Sequence, residues 1–317
     1  MNTKYVIATV VIIAVVVVAA FVYVYYQGQA TAAEQLKVLQ NLVDDTGYTT
    51  SLTVLPNRVA SIAPSATEIV FALGLDEKVV SVSDVCDYPY NFSAWVAAGN
   101  MTSIVFSNPN VEALVSLNAD LILATGGIQA KAVDALRNLG QKVLVLYPTD
   151  VDGVLKDIEL VGNATGKTAE AKALIANLSS RINAVVDKVA NATSMPKVYY
   201  EVWADPLMTV GAKGWQNELF AKAGGVNVFV DEDIDYFQLS YEAVIVRNPD
   251  VILLQEQGMG SGVQSIDDVK ARPGWGSISA VQNDRICLVD SSTIDRAGPR
   301  VADIIEDLAE AFHPELF

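Results

Sequence analysis

The fourteen residues VEALVSLNADLILA (111–124) return as YEAVIVRNPDVILL (241–254), in register at Glu, Ala, Asn, Asp, Ile and Leu. Each copy reads as a helix, a two-residue turn and a strand, so one supersecondary unit has been used twice and two similarly built halves are expected. A second pair agrees: TEIVFALG and NELFAKAG place Glu68 six residues before Gly74 and Glu218 six before Gly224. Between the halves, Lys167 to Ala190 holds no Gly or Pro and spaces Leu174, Leu178, Ile182, Val185 and Val189 at threes and fours. That periodicity predicts one helix, roughly 36 Å long at about 1.5 Å per residue.

On either side of this helix, short apolar strands alternate with helical stretches. Strands are expected at 58–62, 79–82, 120–124 and 142–147, and again at 197–203, 250–255 and 285–289. The alternation predicts an α/β fold with parallel sheets covered by helices. The expected organisation is an N-terminal lobe over 53–165, a linker helix over 166–193 and a C-terminal lobe over 194–317, with a tether over 29–52 ahead of them. In RVASIAPSATEIVFALGL (58–75) a strand runs into a helix over 67–73 that Gly74 stops. Glu68 then falls in the first helical turn, where the positive end of the backbone dipole favours a carboxylate, and its side chain is expected to be exposed.

The front of the chain is different. Tyr5 to Tyr26 contains 22 residues without a charge, about 33 Å as a helix and long enough to cross a bilayer. Lys4 precedes the run, and Tyr23, Tyr25 and Tyr26 suit a membrane interface. Residues 1–28 therefore read as a retained N-terminal transmembrane helix, the alternative being a removed signal with Ala30-Thr31-Ala32 as its cleavage site. Either way the body is expected outside the cytoplasm. Five Asn-x-Ser/Thr sequons, at Asn91, Asn100, Asn163, Asn177 and Asn191, fit a glycosylated surface protein. Cys86 and Cys287 lie in or beside apolar runs far apart in sequence, and buried free thiols are expected rather than a disulfide.

Acidic residues outnumber basic ones by 37 to 21, and no basic cluster interrupts them. Nucleic acid and anionic lipid are therefore poor partners, since binding a phosphate backbone needs clustered Lys and Arg. The single histidine, His313, leaves no room for a Ser-His-Asp relay, a Cys-His pair or a multi-histidine metal site. Two glycine-rich stretches are weak motifs. GNATGKT (162–168) has one residue too few between its glycines for a phosphate loop and follows a helix instead of a strand. GMGSG (258–262) follows a strand, but its third glycine is misplaced for a dinucleotide site.

Aromatic residues in loops after strands carry more information, because open parallel sheets bind ligands at the carboxyl ends of their strands. Tyr88, Phe106, Trp203, Tyr236 and Phe237 all fall there. Core packing accounts for any one of them singly, whereas together they predict a cleft with aromatic walls. Arg296, in DRAGPR, adds a charged contact, with a surface ion pair as its alternative.

PNRVASIAPSATEIVFALGL, SDVCDYP, NPNVEALVSLNADLILA, VYYEVWADPLMTVG, NELFAKAGGVNVF, RPGW and RAGPRVADIIEDLAEAFHPEL, in this order, resemble the substrate-binding proteins of ABC importers for cobalamin and iron chelates, in their cobalamin-type branch. The resemblance covers residues 53–316. It implies two Rossmann-like lobes joined by a single long helix, a bulky metal chelate as ligand, no cofactor and no catalysis. It also implies a monomer that docks on a membrane permease with its ATPase through a carboxylate on each lobe. By the resemblance Glu68 fills that docking role on the first lobe. The family places its second acid one turn later, where this chain has Ala221, so Glu218 is the substitute candidate. Tyr88, Phe106, Trp203, Tyr236 and Arg296 match ligand-facing positions. Cobalamin or a related corrinoid is the expected cargo, with a ferric siderophore or haem as the alternative.

Overall fold

The computed structural model describes residues 41–256 and 265–317, with Val18, Leu36, Lys37 and Leu39 ahead of them. Apart from Val18, the apolar run Tyr5–Tyr26 lies outside the described residues, as does GMGSG. Among the described residues no helix is long and apolar enough to cross a membrane.

The chain enters through a short hairpin, β1 (Leu42–Val43) and β2 (Thr49–Thr50). It then alternates through β3 (Val59–Ser61), α1 (Pro64–Ala72), β4 (Val79–Ser83), α2 (Phe92–Ala97), β5 (Thr102–Ile104) and α3 (Val111–Ser116). The lobe is completed by β6 (Leu121–Ala124), α4 (Ala130–Asn138), β7 (Val143–Val145) and α5 (Val151–Thr165). Strands β3 to β7 form one parallel sheet in the order β5-β4-β3-β6-β7. Every residue of β3, β6 and β7 is buried, as a sheet covered by helices on both faces demands.

The linker is α6 (Thr168–Val189), a helix of 22 residues. It packs on α5 of the first lobe and on the last helix of the second. Beyond it come β8 (Lys197–Glu201), β9 (Trp203–Ala204), β10 (Leu207–Val210), α7 (Gln216–Lys222), β11 (Val226–Asn227), β12 (Tyr236–Gln238) and α8 (Tyr241–Arg247). The rest of the lobe is β13 (Val251–Gln255), α9 (Ile266–Lys270), α10 (Ser279–Gln282), β14 (Ile286–Val289), α11 (Ser291–Ile294) and α12 (Val301–Phe312). Its parallel sheet runs β11-β8-β13-β14. The strand expected over 197–203 breaks after Glu201, and β9 turns into a separate antiparallel sheet, β12-β10-β9. Arg181 of α6 bonds Asp303 (2.6 Å) and Glu306 on α12, which fixes the linker to the second lobe.

The repeat has a physical basis at each shared position. Asn118 and Asn248 end their helices in the left-handed region, with φ of 47° and 48°, which asparagine tolerates better than most residues. Asp120 accepts from the backbone N–H of Asn57 and Arg58 at 2.8 and 2.9 Å, ahead of β3. Asp250 accepts from that of Lys197, the first residue of β8, at 2.9 Å. Gly74 and Gly224 take φ of 67° and 82° beyond the ends of α1 and α7, a backbone state open to glycine at little cost.

Two sequence expectations need correction. The helix expected from residue 67 begins at Pro64, because proline's fixed φ suits the first helical position. Glu68 is therefore in the second turn, not the first. The tether expected over 29–52 is folded from Asn41 onward. Asp45 N–H donates to Val145 O (3.2 Å), Asp44 accepts from Val145 N–H (3.0 Å), and Leu42 and Leu52 are buried.

The same hairpin meets a buried acid on α5. Asp157 has no fixed donor on one carboxyl oxygen and faces the carboxylate of Asp45. Burial, reinforced by the charge of Asp45, pushes its pKa up to about 9. At neutral pH the raised value keeps the Asp157 carboxyl protonated. Because the folded chain holds this proton where the unfolded chain has released it, stability falls as pH rises from about 4 toward the raised folded value. Asp157→Asn, which keeps a donor without the proton, is expected to raise unfolding stability at pH 7 by on the order of 2 kcal/mol. It should also flatten the pH dependence, as measured by urea denaturation between pH 5 and pH 9.

Candidate ligand-binding cleft

Loops that leave the carboxyl ends of parallel strands emerge on one side of the sheet and can share one crevice. All strands of the N-terminal sheet contribute here. Pro64 after β3, Val85 after β4, Phe106 after β5, Thr125 after β6 and Tyr147 after β7 line a cavity of about 420 Å³ between the lobes. The C-terminal lobe closes it with Trp203, Trp215, Tyr236, Gln255, Asp295 and Arg296. The volume lies in the range of small-molecule sites and the walls are mainly apolar.

Of the residues singled out in the sequence, Phe106, Trp203, Tyr236 and Arg296 line this cavity. Tyr88 and Phe237 do not. The Tyr88 ring lies over the Arg300 guanidinium, 4.3 Å from carbon to ring centroid. Phe237 packs in the second lobe's core against Phe229, with ring centroids 5.5 Å apart. Side chains alternate along a strand, so with Tyr236 on the cleft side of β12 its neighbour turns to the core. Sequence reasoning passed over Tyr147, Trp215, Gln255 and Asp295. Tyr147 and Gln255 stand at strand carboxyl ends and obeyed the rule that found the others. Asp295 adjoins Arg296 in the motif already noted.

Glu68 overturns its expectation outright: it is 3% exposed. Arg300 of the other lobe donates to it twice, from Nη2 to Oε1 at 2.6 Å and from Nε to Oε2 at 3.0 Å. Arg296 lies 3.7 Å from the same carboxylate, bonds Asp87 of the first lobe and donates to Val85 O at 3.1 Å. Burial pushes the Glu68 pKa up against the pull of Arg300. Glu218, its counterpart in the repeat, also reaches across. Its Oε2 accepts from the backbone N–H of Val151, the first residue of α5, at 2.6 Å. A negative group there satisfies an orphan helix donor and meets the helix's positive end. Lys222 pairs with its other oxygen at 3.1 Å. Both glutamates are thus braces between the lobes, and Glu68 is too buried to serve as a docking tip.

A second polar cluster forms part of the cavity wall. Asp295 Oδ1 accepts from Tyr200 Oη (3.0 Å) and Gln216 Nε2 (2.9 Å), and Oδ2 accepts from Gln255 Nε2 (2.7 Å). Gln216 also donates to Tyr236 Oη at 3.0 Å. Burial pushes the Asp295 pKa up to about 6 despite these donors. Burial also pushes Tyr236 up, to about 12. Among the described residues no group of three or more His, Cys, Asp or Glu is arranged to hold a metal ion.

Residues 59–293 match the family described as periplasmic binding protein. An uncharacterized ABC transporter substrate-binding lipoprotein of Bacillus subtilis is 30% identical over 299 residues, 92% of this chain and 91% of that protein. A vitamin B12-binding protein of Vibrio cholerae is 29% identical over 253 residues, 79% of this chain and 87% of that protein. A periplasmic heme-binding protein of Roseiflexus sp. RS-1 has a solved structure that matches at TM-score 0.72 and 27% identity, covering 82% of this chain and 99% of that one.

Removing one partner of a buried ion pair leaves the other charge uncompensated, at a cost of about 3–5 kcal/mol. Arg300→Met is expected to destabilise the fold by that order in chemical denaturation. Adding Glu68→Gln should restore part of the loss, because the orphaned charge is then gone. A double variant no more stable than Arg300→Met alone would show that the two side chains are not coupled.

Proposed function

The chain belongs to the periplasmic binding protein family, and on that premise we propose that it is the membrane-tethered, extracytoplasmic receptor of an ABC importer for cobalamin or a related corrinoid. The observation that carries this reading is the cavity between the lobes, walled by Phe106, Tyr147, Trp203, Trp215 and Tyr236. A corrinoid is a wide, mostly apolar disc with a fringe of amides. Its cobalt stays bound by its own macrocycle, so a receptor needs aromatic faces and a few polar contacts, not metal-ligating side chains. The similarity to a vitamin B12-binding protein supports the same cargo. A second reading, haem or a ferric siderophore, draws support from the likeness to a heme-binding protein.

Delivery requires surface contacts with a permease. With Glu68 and Glu218 engaged between the lobes, that role passes to the glutamates of the other repeat, Glu112 and Glu242. Both are exposed in the first turn of their helices, α3 and α8. Each follows a cavity-lining aromatic by six residues, Phe106 and Tyr236 respectively (112 − 106 and 242 − 236), so both helices start from cleft loops. Residues 5–26 would hold the receptor at the outer membrane face. Asn91, Asn100, Asn177 and Asn191 are exposed and open to glycosylation, whereas Asn163 is half-buried and accepts from Thr168 at 3.0 Å.

Titration of the full chain in detergent with cyanocobalamin and with haem tests the cargo. Saturable cyanocobalamin binding at micromolar or lower concentration is expected, and its absence would defeat the corrinoid reading. In a separate transport assay, Glu112→Arg together with Glu242→Arg is expected to lower uptake by about tenfold or more, since reversing rim charges suppresses encounter with a complementary partner. Ligand affinity should be unchanged in that variant.

A further inference from the structure

The polar groups of the cavity are unevenly distributed. The three donors that hold Asp295 come from Tyr200 on β8, Gln216 on α7 and Gln255 on β13. Tyr200 and Gln216 are fully buried behind the cavity wall, while Asp295 itself borders the cavity. An ionised carboxylate offers roughly four lone-pair positions. Three are taken from within the protein, which leaves one acceptor position on a residue that borders the cavity.

The cations that border the cavity are already engaged. Arg296 is bonded to Asp87 and Val85 O and lies beside Glu68. Lys213 pairs with Asp233 at 2.9 Å. Asp235 adds a further acid to the wall. Among the described lining residues a ligand therefore meets aromatic faces, two acids, of which Asp295 is the one held from behind by three donors, and cations that are each already paired with an acid.

Resting on the corrinoid reading, we propose that Asp295 is a specificity-determining residue that accepts a hydrogen bond from an amide N–H on the ligand's fringe and rejects ligands with carboxylate or catecholate fringes. Like charge opposes an anionic fringe directly, and the arginine and lysine at the wall are each already paired with an acid. An amide meets an acceptor held in place from behind, so little ordering of the protein opposes the contact. A protonated Asp295 would no longer repel an anion. Discrimination should therefore weaken as pH falls through about 6, where the carboxyl takes up its proton. The groups facing Asp295 are Tyr200, Gln216, Gln255 and Tyr236, with Arg296 beside it. Burial raises Tyr200 and Tyr236 further above the usual phenol range, and the two glutamines carry no charge, so none of these four changes charge between pH 5.5 and 7.5.

The test uses the full chain in detergent and two probes with the same ring: dicyanocobinamide, whose fringe is amides, and dicyanocobyrinic acid, whose fringe is carboxylates. Calorimetric titration at pH 7.5 should show the amide ring binding about tenfold tighter or more, about 1.4 kcal/mol. In Asp295→Asn the ratio should shrink toward one, and in the unchanged protein it should narrow at pH 5.5. Because the carboxylate ring takes up protons of its own toward pH 5.5, the narrowing must exceed that seen in Asp295→Asn, and Asp295→Ser stands in if that variant fails to fold. A ratio insensitive to both changes, or tighter binding of the carboxylate ring at pH 7.5, would overturn the assignment of Asp295 while leaving the corrinoid reading in place. If neither ring binds, the corrinoid reading itself fails, and the proposal with it.

Discussion

Glu68 and Arg300 stand 232 residues apart and meet in a two-bonded, buried ion pair between the lobes. Ion pairs of this kind contribute little net stability over well-packed apolar residues, because both charges must leave water. What this pair imposes is geometry: both bonds form at only one relative placement of the lobes. Tyr88 stacks on the same guanidinium, and Arg296 bonds Asp87 alongside it. Glu218 repeats the exchange in the other direction by capping α5. Each lobe therefore lends an acid to the other, from equivalent helices. Among the described residues the long helix α6 makes the single covalent crossing, and its Arg181 is tied down on α12. The rod and the bonds across the cleft together define the single placement of the lobes seen in this structure.

Much of this architecture was legible. The two repeated pairs announced two lobes because their Asn, Asp and Gly positions each have a local backbone reason to persist, as Asn118 and Asp120 of one pair and Gly74 of the other show. The linker was legible because a long stretch without Gly or Pro and with helical spacing has few other ways to fold. The antiparallel sheet β12-β10-β9 was not, since its strands have at most four residues and no alternation long enough to register. The hairpin at β1 and β2 was missed for the same reason. Its hold on the lobe comes from Asp44 and Asp45, whose partners lie about a hundred residues away.

The site was half legible, and the failures share a cause. Rules about strand ends locate a cleft but not the direction of a side chain, so Tyr236 and Phe237 read alike although they point to opposite faces. The exposed placement expected for Glu68 followed from assigning it to a first helical turn at the surface. That local argument contained nothing about Arg300. Long-range pairing of charges is set by how lobes pack, which no local pattern encodes.

One hexapeptide, DRAGPR (295–300), joins these two levels. Asp295 borders the cavity, Arg296 stands where the cavity meets the brace, and Arg300 completes the interlobe pair. Only four residues separate the first position from the last in this α11–α12 junction (296 to 299). A ligand contact that displaces Asp295 or Arg296 acts on the backbone that carries Arg300. A ligand can shift the placement of the lobes only by as much as it prefers one placement over another. Contacts at these two residues act on the brace most directly, because they share a short stretch of backbone with Arg300.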